Sequence, residues 1–143
     1  MTHAPMHIIA PSRRRWIAAV AALTLVSGMA QAAQPVVEII AFAHPPVQSA
    51  LKPLRDWLAK QGSRVKVVEI DMETPAGEKR LQAIGVKGHV PVVVLIDGQY
   101  RHQRADGSWV EFVSFPAGPG TPPGVKGTWS SADVEAVLMP RLR

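Results

Sequence analysis

Val36-Val-Glu-Ile-Ile-Ala-Phe-Ala-His-Pro-Pro-Val-Gln-Ser-Ala-Leu-Lys-Pro-Leu-Arg-Asp-Trp-Leu-Ala-Lys-Gln61 changes its hydrophobic period once, and that change decides the fold class. Up to Ala43 the run is β-branched and mostly apolar, with the length of a strand buried on both faces. His44-Pro45-Pro46 stops it, because successive prolines remove successive ladder donors. From Val47 the apolar residues Val47, Ala50, Leu51, Leu54, Trp57 and Leu58 fall on one stripe of a helix running to about Gln61, with Gly62 as its stop. Pro53 inside that helix removes a backbone hydrogen bond and predicts a kink between Lys52 and Leu54.

Towards the carboxyl end the alternation of strand and helix continues. Val65 to Asp71 suits a second strand, and Thr74-Pro75 followed by Glu78 opens a helix that carries Leu81 and Ile84 inward before Gly85. Pro91 to Asp97 is the most strand-like run, and Asp97-Gly98 is a tight-turn signal leading into a hairpin over Gln99 to Arg104. After a second turn at Asp106-Gly107, Trp109 to Phe115 is expected to add an edge strand. Residues 116–128 hold four prolines and four glycines in thirteen positions, which is an irregular loop. Ser130 then caps a last helix, with Asp133 at the capping-box position and Val134, Val137 and Leu138 facing the core. These elements predict an α/β domain with a mixed sheet of four to five strands flanked by helices.

Towards the amino end, Arg13, Arg14 and Arg15 precede an apolar run from Trp16 that closes on Ala30-Gln31-Ala32. A basic flank, an apolar stretch short of a membrane span and small residues at its end predict an export signal over 1–32, cleaved after Ala32. Ser12-Arg13-Arg14-Arg15-Trp16-Ile17 suits the twin-arginine route and the general secretory route equally. The expected mature domain, 33–143, is periplasmic or secreted and needs no membrane contact after cleavage. The whole chain of 143 residues carries a formal charge of +5, but without the signal 13 basic residues face 11 acidic ones, about +2. That balance removes the case for a nucleic-acid partner. The chain contains no cysteine, which excludes disulfides, cysteine-ligated metals and thiol nucleophiles.

Strand, proline-bearing helix, strand, helix, proline-led strand, hairpin and closing helix resembles the thioredoxin-like fold over about Val36 to Leu138. In that family the first strand leads to Cys-x-x-Cys at a helix head, with a proline five residues past the second cysteine. Counting back from Pro53, Pro45-Pro46-Val47-Gln48 stands where periplasmic members have Cys-Pro-x-Cys; aligning the adjacent prolines instead selects His44 and Val47. Gly88-His89-Val90-Pro91 is similar to the family's segment ahead of a cis proline, so the resemblance implies that Pro91 is cis and faces the site. Val94-Leu-Ile-Asp-Gly98 looks like the Phe-Ile-Asp-Gly that follows it. Both redox positions lack sulfur, so thiol–disulfide exchange is excluded, and no enzymatic activity of that kind and no cofactor is expected. What the resemblance leaves is docking of an extended peptide by strand addition near Pro91, with a protein or peptide of the cell envelope as partner. The binding candidates are His44, Pro45, Pro46, Gln48, His89, Val90 and Pro91.

The alternative reading is a periplasmic copper or zinc protein using His44 and His89, two imidazoles expected at one end of the sheet. A third ligand is not evident, since His102, Met72 and Met139 belong to other elements. A third possibility is an enzyme reusing the same cleft, but no Gly-x-Ser-x-Gly elbow accompanies Ser49. Asp56, Glu73, Glu78 and Glu111 are scattered over separate elements or faces. Tyr100 to Arg104 is basic, yet strand alternation turns such side chains to water. Trp109 and Trp129 are expected mainly as core or loop anchors, with a share in the binding surface as the alternative.

Overall fold

The computed structural model describes residues 33–142. The expected export signal and its cleavage point at Ala32 lie outside the described residues. Within them the chain forms β1 (Val36–Ala41), α1 (Pro45–Gln61), β2 (Lys66–Asp71), α2 (Pro75–Ile84), β3 (Val92–Ile96), β4 (Arg101–Gln103), β5 (Trp109–Glu111) and α3 (Ser131–Leu138). The class is mixed α/β: three helices, a three-stranded mixed sheet ordered β2-β1-β3, and a separate two-stranded sheet, β4-β5. Among the described residues no helix is long and apolar enough to cross a membrane.

β1 is central, parallel to β2 with Val36 opposite Lys66, and antiparallel to β3 with Val37 opposite Ile96. Successive side chains alternate faces, and each face of β1 and β3 is covered. Val37, Ile39, Val94 and Ile96 pack with Leu51 and Leu54 of α1 and Val134 and Leu138 of α3. Ile40, Val93 and Leu95 pack on the opposite side with Met72 and with Leu81 and Ile84 of α2. Burial on both faces is why these strands read as unbroken apolar runs. The exception is Glu38, in mid-β1 on the α2 side, whose two carboxylate oxygens accept from Arg80 Nε at 2.8 Å and Nη2 at 2.7 Å.

The sheet departs from the expected four to five strands. Asp97 and Gly98 both have positive φ, 51° and 80°, and the backbones of Ile96 and Gln99 exchange hydrogen bonds of 2.8 and 3.1 Å across them. This is the primed two-residue turn that the Asp-Gly pair favours. Beyond it β4 pairs with β5, His102 opposite Val110, and not with β3. Only Phe112 to Ser114 returns to β3, through Val94 N–H to the Phe112 carbonyl at 2.9 Å and Ser114 N–H to the Val92 carbonyl at 2.8 Å. The expected strand Trp109 to Phe115 is therefore divided between two partners, and Ser114, at φ 71°, ends the second pairing.

Pro91 is a second correction: no peptide bond among the described residues is cis, so the Val90–Pro91 bond is trans. Trans is the ground state of an X–Pro bond by about 0.5–1 kcal/mol. The trans geometry still lets the Pro91 carbonyl accept from Phe42 N–H at 3.1 Å, extending the β1–β3 ladder by one rung.

α1 starts at Pro45, two residues before its apolar stripe, because Pro45 and Pro46 occupy first-turn positions whose N–H groups would have no helical partner. Pro53 cannot donate to the carbonyl of Ser49, and the helix runs on through it to Gln61. The Pro/Gly-rich loop 116–128 is seated against that carbonyl: a Cβ on Gly120, at φ 85°, would collide with Ser49 O. Trp129, fully buried, holds the far end of the loop, its Nε1–H shared between the carbonyls of Val113 at 3.2 Å and Ser114 at 3.1 Å.

α3 carries the capping box expected from Ser130 and Asp133. Burial acts to raise the Asp133 carboxyl pKa, but hydrogen bonds from Arg104 Nε at 2.6 Å and from Ser130 outweigh it and hold the group below the usual range. This ties the β4–β5 turn to the start of α3.

His102 faces inward from β4, stacked on Phe112 at 5.3 Å, with Nε2 2.9 Å from the Gln99 carbonyl. A carbonyl only accepts, so Nε2 carries the proton. Burial, opposed by that hydrogen bond, pushes the imidazole pKa below its usual 6.5, and nearby Arg141 adds to the depression. The unfolded chain then binds a proton near pH 6.5 that the folded chain resists, so stability is intact above that pH and falls as pH drops towards the folded value. The urea midpoint is expected to decline between pH 7 and 5.5, and to decline less in His102→Asn; parallel curves for the two proteins would refute this.

Candidate binding site

The sequence-selected residues gather at the end of the sheet where β1 stops and β3 begins. β1 delivers Phe42 just beyond its last rung, and α1 begins at once, so His44 takes the cap position with an extended backbone, φ −73° and ψ 140°. The His44 carbonyl accepts from Val47 N–H at 3.0 Å and Gln48 N–H at 3.1 Å, closing the first turn. Its ring makes no cap bond and stands exposed, with Nε2 3.1 Å from Glu73 Oε2. With both side chains more than half exposed, this pair adds little stability.

His44 and His89 reach the same ring from different segments. Phe42, half-buried, stacks with His44 at 5.2 Å between centroids and meets His89, tilted, at 5.0 Å. Phe42 is the residue that the sequence left unnoticed here; its position two before His44 was the available signal. Pro45 and Pro46 are exposed on the first turn of α1, while Val90 and Pro91 are half-buried at the entry to β3.

Gln48 is turned towards the scaffold. Its Nε2 donates to the Phe42 carbonyl at 2.7 Å and its Oε1 accepts from Arg55 Nη1 at 2.8 Å. Arg55 in turn donates Nε and Nη2 to the two carboxylate oxygens of Glu69 on β2, at 2.8 and 2.9 Å. This chain fixes α1 over the edge strand and walls a cleft of about 170 Å³ lined also by Ala43 and Asp71. Small-molecule sites run from roughly 300 to 1,000 Å³, so this cleft falls below their size.

The open surface at this end of the sheet has a backbone component. No N–H or C=O of Val86 to Val90 pairs with another backbone group among the described residues. Gly88, at φ 89°, lets this segment leave α2 and turn into β3, with Lys87 and His89 exposed along it. A metal held by His44 and His89 meets no completed ligand set: among the described residues no three His, Cys, Asp or Glu side chains are grouped to hold an ion. Ser49 has its backbone under the Pro/Gly-rich loop, Trp129 is in the core, and Trp109 is exposed on β5 beneath Arg101.

No family model, curated protein or solved structure matches the chain.

Proposed function

We propose that this is an exported, thioredoxin-like binding module without redox chemistry, which docks an extended segment of a cell-envelope protein along Val86 to Val90. The observation that carries the reading is the run of unpaired peptide groups ending at Pro91, beside the exposed rings of His44 and His89 on Phe42. An extended peptide would pair with those groups by strand addition, and its alternate side chains would meet the aromatic cluster or solvent. The central β1 between a parallel and an antiparallel neighbour, with helices on both sheet faces, supports the thioredoxin-like assignment. The basic and then apolar composition of 1–32 supports export. The chain has no cysteine, so a docked segment meets no thiolate and undergoes no thiol–disulfide exchange with it.

The test is amide hydrogen exchange in the presence of carboxymethylated α-lactalbumin, a permanently unfolded polypeptide with blocked thiols. Protection is expected at Val86 to Val90 and to be absent elsewhere on the sheet. Val90→Pro removes the Val90 N–H, and should weaken binding by roughly tenfold or more, the equivalent of at least one neutral hydrogen bond. Exchange rates at 86–90 that ignore the polypeptide at saturating concentration would refute the proposal.

A further inference from the structure

β4 and β5 bury one face of their sheet and leave the other open. His102 and Val110 are turned inward, while Arg101 and Gln103 of β4 and Trp109 and Glu111 of β5 are exposed on the outer side. Cross-strand pairing sets Arg101 opposite Glu111 and Gln103 opposite Trp109, so one row of the open face carries both charges and the other carries the indole.

The binding capacity of these four groups is largely unspent. Trp109 is 56% exposed even though the Arg101 guanidinium carbon stands 4.6 Å from its ring centre. Arg101 Nε and Glu111 Oε1 are 3.8 Å apart with both side chains more than half exposed, so each charge remains open to a further partner. Gln103 donates Nε2 to the Gly107 carbonyl at 2.9 Å and keeps Oε1 free to accept. Unlike Trp129, whose Nε1–H is shared between two carbonyls, Trp109 has an indole N–H with no acceptor among the described residues.

The pattern is its own complement. A half-turn about an axis along the strands, midway between β4 and β5, lays β4 of one copy over β5 of another. Each Arg101 then faces the partner's Glu111, and each Trp109 faces the partner's Gln103. A half-turn about the in-plane axis at right angles to the strands sets Arg101 over the partner's Gln103 and pairs no charges. We infer that this face binds a second copy of the chain as a two-fold dimer, with two Arg101–Glu111 pairs beside the two indoles. A contact that uses the same patch on both copies closes at two. Four side chains on each copy are far fewer than the roughly 20–30 residues a side of a stable interface, so the dimer is weak and forms at high protein concentration. None of the four belongs to Val86–Val90 or to the His44–Phe42–His89 cluster, so the inference stands apart from peptide docking.

The test is sedimentation velocity of the purified protein from micromolar to millimolar concentration, with charge reversals that are rescued in trans. The parent should pass from monomer to dimer as concentration rises. Arg101→Glu faces carboxylates with carboxylates and Glu111→Arg faces guanidinium groups with guanidinium groups, so each variant alone should stay monomeric. An equimolar mixture of the two should dimerise, because every reversed charge then meets its opposite on the other chain. Trp109→Ala should weaken self-association by roughly tenfold or more, the loss of an interface aromatic. All three side chains are exposed, so the variants should keep the parent's thermal midpoint. A parent that stays monomeric at millimolar concentration, assembly beyond two, a single reversal that dimerises like the parent, or folded variants whose mixture stays monomeric would each overturn the inference.

Discussion

Trp129→Ala is expected to cost about 3–5 kcal/mol of unfolding free energy, the range for deleting a fully buried large aromatic side chain. Trp129 is 1% exposed and meets Phe112 at 5.5 Å between ring centres. It also satisfies two carbonyls, those of Val113 and Ser114, where the chain leaves β3. Truncation removes the packing and leaves both carbonyls without this donor. The Trp129 carbonyl itself accepts from Ala117 N–H at 2.6 Å, so the loop 116–128 is clipped at its base by the same residue. Trp129→Phe should recover part of the loss, because the ring volume is largely restored and the N–H is not. Urea unfolding measures both, and a loss below about 1 kcal/mol in the alanine variant would contradict the anchoring role.

Glu38→Ala should destabilise by about 2–3 kcal/mol, somewhat below the cost of breaking a fully buried pair because Arg80 keeps some contact with water. The Glu38 side chain is 15% exposed and that of Arg80 is 31% exposed. The carboxylate sits on the central strand and receives both prongs of the guanidinium, so its removal leaves a partly desolvated cation against the sheet. An apolar pair of similar bulk, Glu38→Leu with Arg80→Met, is expected to restore stability to within about 1 kcal/mol of the parent, since neither charge is then stranded. A double-mutant cycle decides the point; additive single losses would show that the two residues do not act as a pair.

How much of the fold was legible depended on the range of the interaction involved. The stripe Val47 to Leu58 predicted α1 because residues three and four apart share a helix face whatever lies opposite. Ser130 and Asp133 predicted their capping box because both partners lie within one turn. Asp97-Gly98 predicted its turn because two successive positive φ angles are favoured by that pair. The start of α1 at Pro45 was missed for a local reason as well: two prolines end a strand and also suit a helix's first turn, and both effects operate at the same residues.

The site was less legible. His44 and His89 were chosen from their places at strand ends, and both do reach this end of the sheet, but through Phe42, a residue from a run that reads simply as strand. Gln48 was selected by counting from Pro53, yet its amide is engaged by Phe42 and by Arg55. Arg55, seven residues on, shares its helix face, so that contact was open to the spacing; what the sequence did not show is that Arg55 is held in turn by Glu69 of β2.

By itself the sequence determined the order of strands and helices, the caps and turns that bound them, and the impossibility of thiol chemistry in a chain without cysteine. Those follow from bonding within a few residues or from the presence of an atom type, and neither depends on what packs against what. Only the tertiary structure decided that β4 leaves β3 to pair with β5, that Val90–Pro91 is trans, that Glu38 is matched by Arg80, and that two histidines 45 positions apart share one phenyl ring. The pairings among these are choices between partners distant along the chain, and the energy that selects one arises when the sheet and its covering helices bring them together.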